Sequence, residues 1–166
     1  MLADMTRWRE HFLIWFLVLA GYNLGVAVQA QFVSYPLYKA PGSAEFLSYH
    51  AQYNESIPLP VILPGFAFML LSAAFVALRP AVVSRAVALA VTACGLVGLL
   101  TTTAWAIPRH DELDRIGQSL PTIDSLLMAN AVRTLAFAVE VALLVWIARR
   151  VFVERALVQA DSAVRA

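Results

Sequence analysis

The sequence predicts an all-α fold: a four-helix transmembrane bundle with short amphipathic helices in its outer connections. Three observations predict it. The first is composition: 61% of the 166 residues are hydrophobic and 14% are charged, with a mean hydropathy of +0.73. Soluble domains run at about 45–50% apolar and roughly 25% charged, so the excess is too large for a water-facing surface. The second is run length, because four apolar runs can each cross about 30 Å of hydrocarbon. The third is punctuation. The runs are set apart by Arg79-Pro80, Pro108 and Pro121-Thr122, with no linker, internal repeat or low-complexity stretch, so residues 1–166 read as one integral membrane domain.

The first span runs from about His11 to Phe32. Its apolar core is longer than the roughly 7–15 residues of a signal-peptide core and ends in no clean cleavage pattern, so it is expected to be retained. The second runs from about Pro60 to Leu78 and closes at Arg79-Pro80, since proline disfavours helical geometry in the residue before it. The third runs from about Ser84 to Ile107, with Pro108 expected to stop it. The fourth runs from about Ile123 to Val151, with Thr122 as the expected N-cap and Asp124 where the helix dipole favours an anion. Residues 152–166 are expected to form a polar tail. In the first outer connection, Phe46, Tyr49, His50, Tyr53 and Ile57 fall at helical spacing, the pattern of a helix lying at the interface. In the second, Arg109 to Gly117 has helical composition and a glycine to end it.

Orientation follows from lysine and arginine bias. Arg7, Arg9, Arg79, Arg85, Arg149, Arg150, Arg155 and Arg165 lie at the termini and the middle connection, against Lys39, Arg109 and Arg115 in the other two. Both termini are therefore expected in the cytoplasm, in a multi-pass protein of the cell membrane whose first partner is the lipid bilayer. A net charge of +1 gives no reason for a nucleic-acid partner. Cys94 is the only cysteine, so there is neither a disulfide framework nor a thiolate metal cluster.

The chemistry-bearing residues collect at the outer end. His11, beside Arg9 and Glu10, reads as solvated. His50 and His110 fall in the outer connections, and histidine is the residue suited both to metal ligation and to proton transfer near neutrality. In a helix His50 and Tyr53 share a face, as do His110 and Asp114. His50, His110 and Asp114 together form a candidate set for a transition metal. No recognised ligand spacing is present, and the competing reading is of interfacial polar groups that cap helices and pair locally, Asp111 with Arg115 for example. In the fourth span Asn130, Arg133, Phe137 and Glu140 line one face. An ionisable group inside a membrane calls for a partner or a function. Arg133 lies just beneath the histidines. Glu140 is deeper, with Asn23, Gln29, Gln31, Thr101, Thr102 and Thr103 as candidate partners. Trp8, Trp15, Trp105 and Trp146 read as interface anchors, and Asn54-Glu55-Ser56 matches a glycosylation sequon.

The run Ile107-Pro108-Arg109-His110-Asp111-Glu112-Leu113, followed by Asn130-Ala131-Val132-Arg133-Thr134, resembles a proline-x-His-x-x-Leu then Asn-x-x-Arg-Thr pattern. That pattern belongs to small four-helix membrane proteins related to the anthrone oxygenases. Tyr49-His50-x-x-Tyr53 and Arg79-Pro80 are similar to that group as well, so the resemblance extends over scattered positions from about Phe46 to Trp146. The chain departs from the pattern at Ala131, where a tryptophan is expected, and at Phe137 and Glu140. The resemblance implies a membrane oxygenase that oxidises an activated aromatic or polyketide carbon with dioxygen. His50, Tyr53, His110, Asn130 and Arg133 are the matching catalytic positions. Some members of the group work without a metal, so the cofactor stays open between a transition metal and none. Two other readings stand beside this one: a non-catalytic membrane subunit of a larger complex, and a lipid- or quinone-binding protein. A homo-oligomer or a partner membrane subunit is compatible with any of them.

Overall fold

Inside a bilayer every backbone N–H and C=O must find its partner within the protein, and a helix achieves this within a single apolar run. The computed structural model describes residues 2–165, apart from the side chains of 2–7, 10, 159, 161, 162 and 164, and has no strand among them. Four helices are long and apolar enough to cross a membrane: His11–Leu37, Pro58–Leu78, Arg85–Ile116 and Leu120–Val158. In chain order the elements are α1 (Leu2–Gln29), a π-helical segment Ala30–Ser34, α2 (Tyr35–Leu37) and α3 (Phe46–Ser56). A second π-helical segment (Pro58–Ile62) leads into α4 (Leu63–Leu78). Then come α5 (Arg85–Leu100), a third π-helical segment (Thr101–Ala106), α6 (Ile107–Ile116) and α7 (Leu120–Val164).

The spans close into a ring in which α1 packs on α4 and α7, and α5 packs on the same two. Phe16, Phe68, Phe75, Leu144 and Ile147 fill its middle, and a second cluster of Tyr35, Tyr38, Phe46, Leu113, Ile123 and Leu126 fills the histidine end. Large apolar side chains such as Trp15, Phe32 and Leu135 point outward, as suits a lipid-facing surface. Gly95 lets α4 come close: a Cβ there would stand 2.2 Å from Ser72 Cβ. At the opposite end from the histidines, Arg79 closes the turn by donating to Val76 O (2.6 Å) and Val83 O (3.1 Å), while Arg9 donates to Arg79 O (3.3 Å).

Four boundaries differ from expectation, the first being that the first span runs on to Leu37. Pro108 does not stop the third span, which continues to Ile116. The π-helical register of Thr101–Ala106 absorbs the proline's missing donor, and threonines bond the neighbouring carbonyls: Thr101 to Val97 O, Thr102 to Gly98 O and Thr103 to Leu99 O, each at 2.8 Å. This is how a proline is tolerated within a membrane helix. The other two π-helical segments also adjoin prolines, Pro36 in one case and Pro58, Pro60 and Pro64 in the other. The fourth span starts earlier than predicted, because Ser119 and not Thr122 is the cap; Ser119 Oγ accepts from Thr122 N at 3.4 Å and from Thr122 Oγ1 at 2.8 Å. At its far end α7 continues as helix through most of the expected tail, where no glycine or proline interrupts it.

Candidate functional site

Helix α3 lies across one end of the bundle and packs on α6, which buries Phe46 and His50 completely. This brings together two histidines 60 residues apart in sequence. His50 Nδ1 is 2.6 Å from Asp114 Oδ1, His50 Nε2 is 3.0 Å from His110 Nδ1, and His110 Nε2 is 3.4 Å from the Tyr35 hydroxyl. An ionised carboxylate only accepts, so it places the proton of His50 on Nδ1. His50 Nε2 is then an acceptor, which His110 satisfies from its own Nδ1–H. His110 Nε2 then carries a lone pair, which accepts from the Tyr35 hydroxyl. Asn54 Nδ2 donates to both Asp114 oxygens at 3.3 Å and holds the carboxylate in place. The rings are clamped by aromatic packing. Phe46 stacks on His50 with centroids 5.6 Å apart, and Tyr38 meets His50 and Tyr53 edge-on at 5.2 Å each. Gln118 fixes the connection that carries Tyr38 by donating to Tyr38 O (3.1 Å) and Pro41 O (2.9 Å).

Beneath this chain lies a cavity of about 260 Å³, bounded by all four spans. Its walls are mostly apolar, with Val26, Val61, Phe66, Met69 and Phe137; its polar lining includes Tyr35, Tyr53, His110, Arg133 and the carboxylates of Asp111 and Asp114. Ile62 and Ile107 line it and are both exposed. Arg133 is held by neutral acceptors, its Nη1 donating to Thr102 Oγ1 (3.0 Å) and its Nη2 to Asn130 Oδ1 (2.6 Å). Asn130 is buried and fixed in turn, donating to Ala27 O (2.9 Å) and Gln31 Oε1 (2.8 Å). Burial pushes the Tyr53 phenol up to about 12 and the Tyr38 phenol higher still; Tyr35 adds to both shifts, while the nearby Tyr38 hydroxyl lowers that of Tyr53. Both stay protonated through the physiological range.

All five expected catalytic residues therefore gather at one end: His50 and His110 in the hydrogen-bonded chain, Tyr53 and Arg133 on the cavity wall, and Asn130 behind Arg133. The expected metal set needs correction. Asp114 and His110 bind opposite nitrogens of His50, so the three do not converge on a common point. Among the described residues no group of three or more His, Cys, Asp or Glu side chains can hold a metal ion. The local ion pair in α6 is Arg109 with Glu112, not Asp111 with Arg115. Glu140 is buried, and neither carboxylate oxygen has a hydrogen-bond partner. Its expected partners are used elsewhere: Asn23 on Leu19 O and Pro64 O, Gln29 on Ser34, Gln31 on Asn130, and the threonines on their own helix, with Thr102 also accepting from Arg133. Sequence reasoning missed Tyr35 and Asn54. Tyr35 lies beyond the predicted end of the first span, and only its Tyr-Pro step marks it. Asn54 drew notice solely as part of a sequon. Compared with protein-family models, curated proteins and solved structures, the chain matches none.

Proposed function

We propose that the chain is a membrane-embedded oxidoreductase of the oxygenase type, acting on a small lipophilic aromatic or polyketide-like substrate in the cavity below the histidines. The observation that carries this reading is the Asp114–His50–His110 chain. Its inner end, His110 Nε2, faces an apolar chamber beside Arg133. Asp114 is half exposed, so the chain connects an accessible carboxylate to a buried base. A base oriented in this way suits removal of a proton from an activated carbon. The resemblance to anthrone oxygenases supports the same chemistry. In the step that this supports, a substrate methylene gives one proton to His110 Nε2, and the carbanion passes electrons to dioxygen. One oxygen atom stays as the carbonyl and the other leaves as water, so R₂CH₂ and O₂ become R₂C=O and H₂O. Arg133, preset by Asn130 and Thr102, stabilises the negative charge that develops on the substrate oxygen; a fixed cation in a water-poor site does this strongly. Tyr53 stays neutral and serves as a hydrogen-bond donor.

A purely structural subunit would have no need of such a chamber at its outer end, and the cavity favours catalysis over that alternative. Lysine and arginine bias supports a place in the cell membrane with both termini cytoplasmic and the chamber on the outer side. The reading is tested by dioxygen uptake with an anthrone as substrate, using the protein in lipid nanodiscs. Wild type should consume oxygen and yield the ketone. His110→Ala should lose about 10²–10⁴-fold in rate, the usual contribution of a positioned base, while keeping its helical content. Equal turnover in the two proteins would remove the proposal.

A further inference from the structure

Among the described residues Arg133 has no counter-ion. Among them the ion pairs are Lys39 with Asp124 and Arg109 with Glu112, Asp114 is hydrogen-bonded to neutral His50, and no carboxylate comes within ion-pair distance of the Arg133 guanidinium. A charge at this depth is costly when left unpaired, and its two anchors, Thr102 and Asn130, are neutral. Two carboxylates, Asp111 and Asp114, do line the same cavity. Asp114 is committed to His50 and Asn54, and Asp111 is exposed. The guanidinium is therefore positioned and half-desolvated, on a wall whose other members are mostly hydrocarbon and aromatic rings. That arrangement is complementary to a molecule with one acidic oxygen and an apolar body.

We propose that the cavity takes its ligand as a lipophilic weak acid, bound as the monoanion with its carboxylate, phenolate or enolate oxygen on Arg133. The acid arrives from the lipid in neutral form, past the exposed Ile62 and Ile107 side chains. Its proton passes through His110 and His50 to the half-exposed Asp114 carboxylate. The proton balance is complete: the acid loses one proton, Asp114 gains it, and the new anion pairs with a cation already in place. The apolar body lies against Val61, Phe66, Met69 and Phe137. This inference rests on reading the cavity as the substrate site, and it adds the ionic class of the substrate.

The test is a matched pair, hexylbenzoic acid and its methyl ester, titrated calorimetrically into the protein in lipid nanodiscs, with empty nanodiscs subtracted. The acid should bind wild type at least about tenfold more tightly than the ester, a difference of roughly 1.4 kcal/mol. Arg133→Gln should bring the two affinities within about twofold of each other, and Arg133→Lys should restore part of the preference. Because Arg133→Gln can disturb folding, the wild-type comparison is itself decisive: equal affinity for acid and ester overturns the inference. Binding requires no turnover, so the two proposals separate. Acid preference without dioxygen uptake upholds this inference and removes the catalytic reading, whereas dioxygen uptake without acid preference does the reverse.

Discussion

At the histidine end the functional side chains are linked in series: His50 donates to Asp114, His110 to His50, and Arg133 to Asn130 and Thr102, although the nearby buried Tyr38 hydroxyl and Arg109 Nε are unbonded. Two turns further along the same fourth helix, Glu140 is equally buried and neither of its oxygens is bonded. Both regions keep ionisable groups away from water, and they differ in what those groups cost. A satisfied network holds its members in one geometry, and a low dielectric strengthens each bond in it. An orphaned buried group keeps its desolvation penalty in full. The Arg133 network therefore has the features of a site, while Glu140 is a liability in the folded state unless it serves a step outside that network.

The largest expected effect lies within the chain of histidines. His50→Ala and His110→Ala should each lower turnover by about 10²–10⁴-fold. The double variant should lose little more than the worse single one, because residues acting as a unit are not additive. Losses that multiply in the double variant would show two independent histidines. Asp114→Asn, which removes the acceptor that orients His50, should cost about 10- to 100-fold, as is usual for a carboxylate that orients a functional imidazole.

The next effect sharpens the contrast along α7. Glu140→Met removes two orphaned oxygens at little change in shape, and should stabilise the protein by about 1–3 kcal/mol in a thermal or denaturant melt. Asn130→Ala should do the opposite, destabilising by about 0.6 kcal/mol, the mean for interhelical hydrogen bonds in membranes, and by at most about 1.7 kcal/mol per bond lost. Turnover should survive the first change and fall with the second. A Glu140→Met variant that is stable but inactive would place Glu140 inside the mechanism.

Much of this was legible in the sequence because it is carried by local pattern. Run length and charge bias delimit four spans, and helical spacing puts Arg133 one turn from Asn130. What could not be read is tertiary. His50 and Asp114 are 64 residues apart, and their pairing depends on how α3 folds over α6. Pro108 reads as a stop by water-based rules. In an apolar setting its missing donor is absorbed by a π-helical register and by threonine hydroxyls. The partners expected for Glu140 share only its polarity, and depth and helix face direct them to other bonds.

The smallest effect concerns the phenols. Tyr53 titrates at about 12, above its ordinary value of 10.0, because burial penalises the phenolate. Below pH 10 folded and unfolded chains both hold this proton, so it does not affect stability. Between pH 10 and about 12 the unfolded chain releases it while the folded chain retains it, so stability should fall as pH rises through that window. Tyr53→Phe should remove that part of the slope. Near-ultraviolet phenolate absorbance of the two proteins should coincide at pH 10.

The most direct test of the histidine chain is its tautomeric state. In protein carrying ¹⁵N-labelled histidine and reconstituted in lipid at neutral pH, His50 and His110 should both appear as the neutral Nδ1–H form. Their Nε2 resonances should shift together when Asp114→Asn is introduced. An Nε2–H tautomer at either ring, or an Asp114→Asn variant that leaves the His110 resonances in place, would contradict a chain running from Asp114 through His50 to His110.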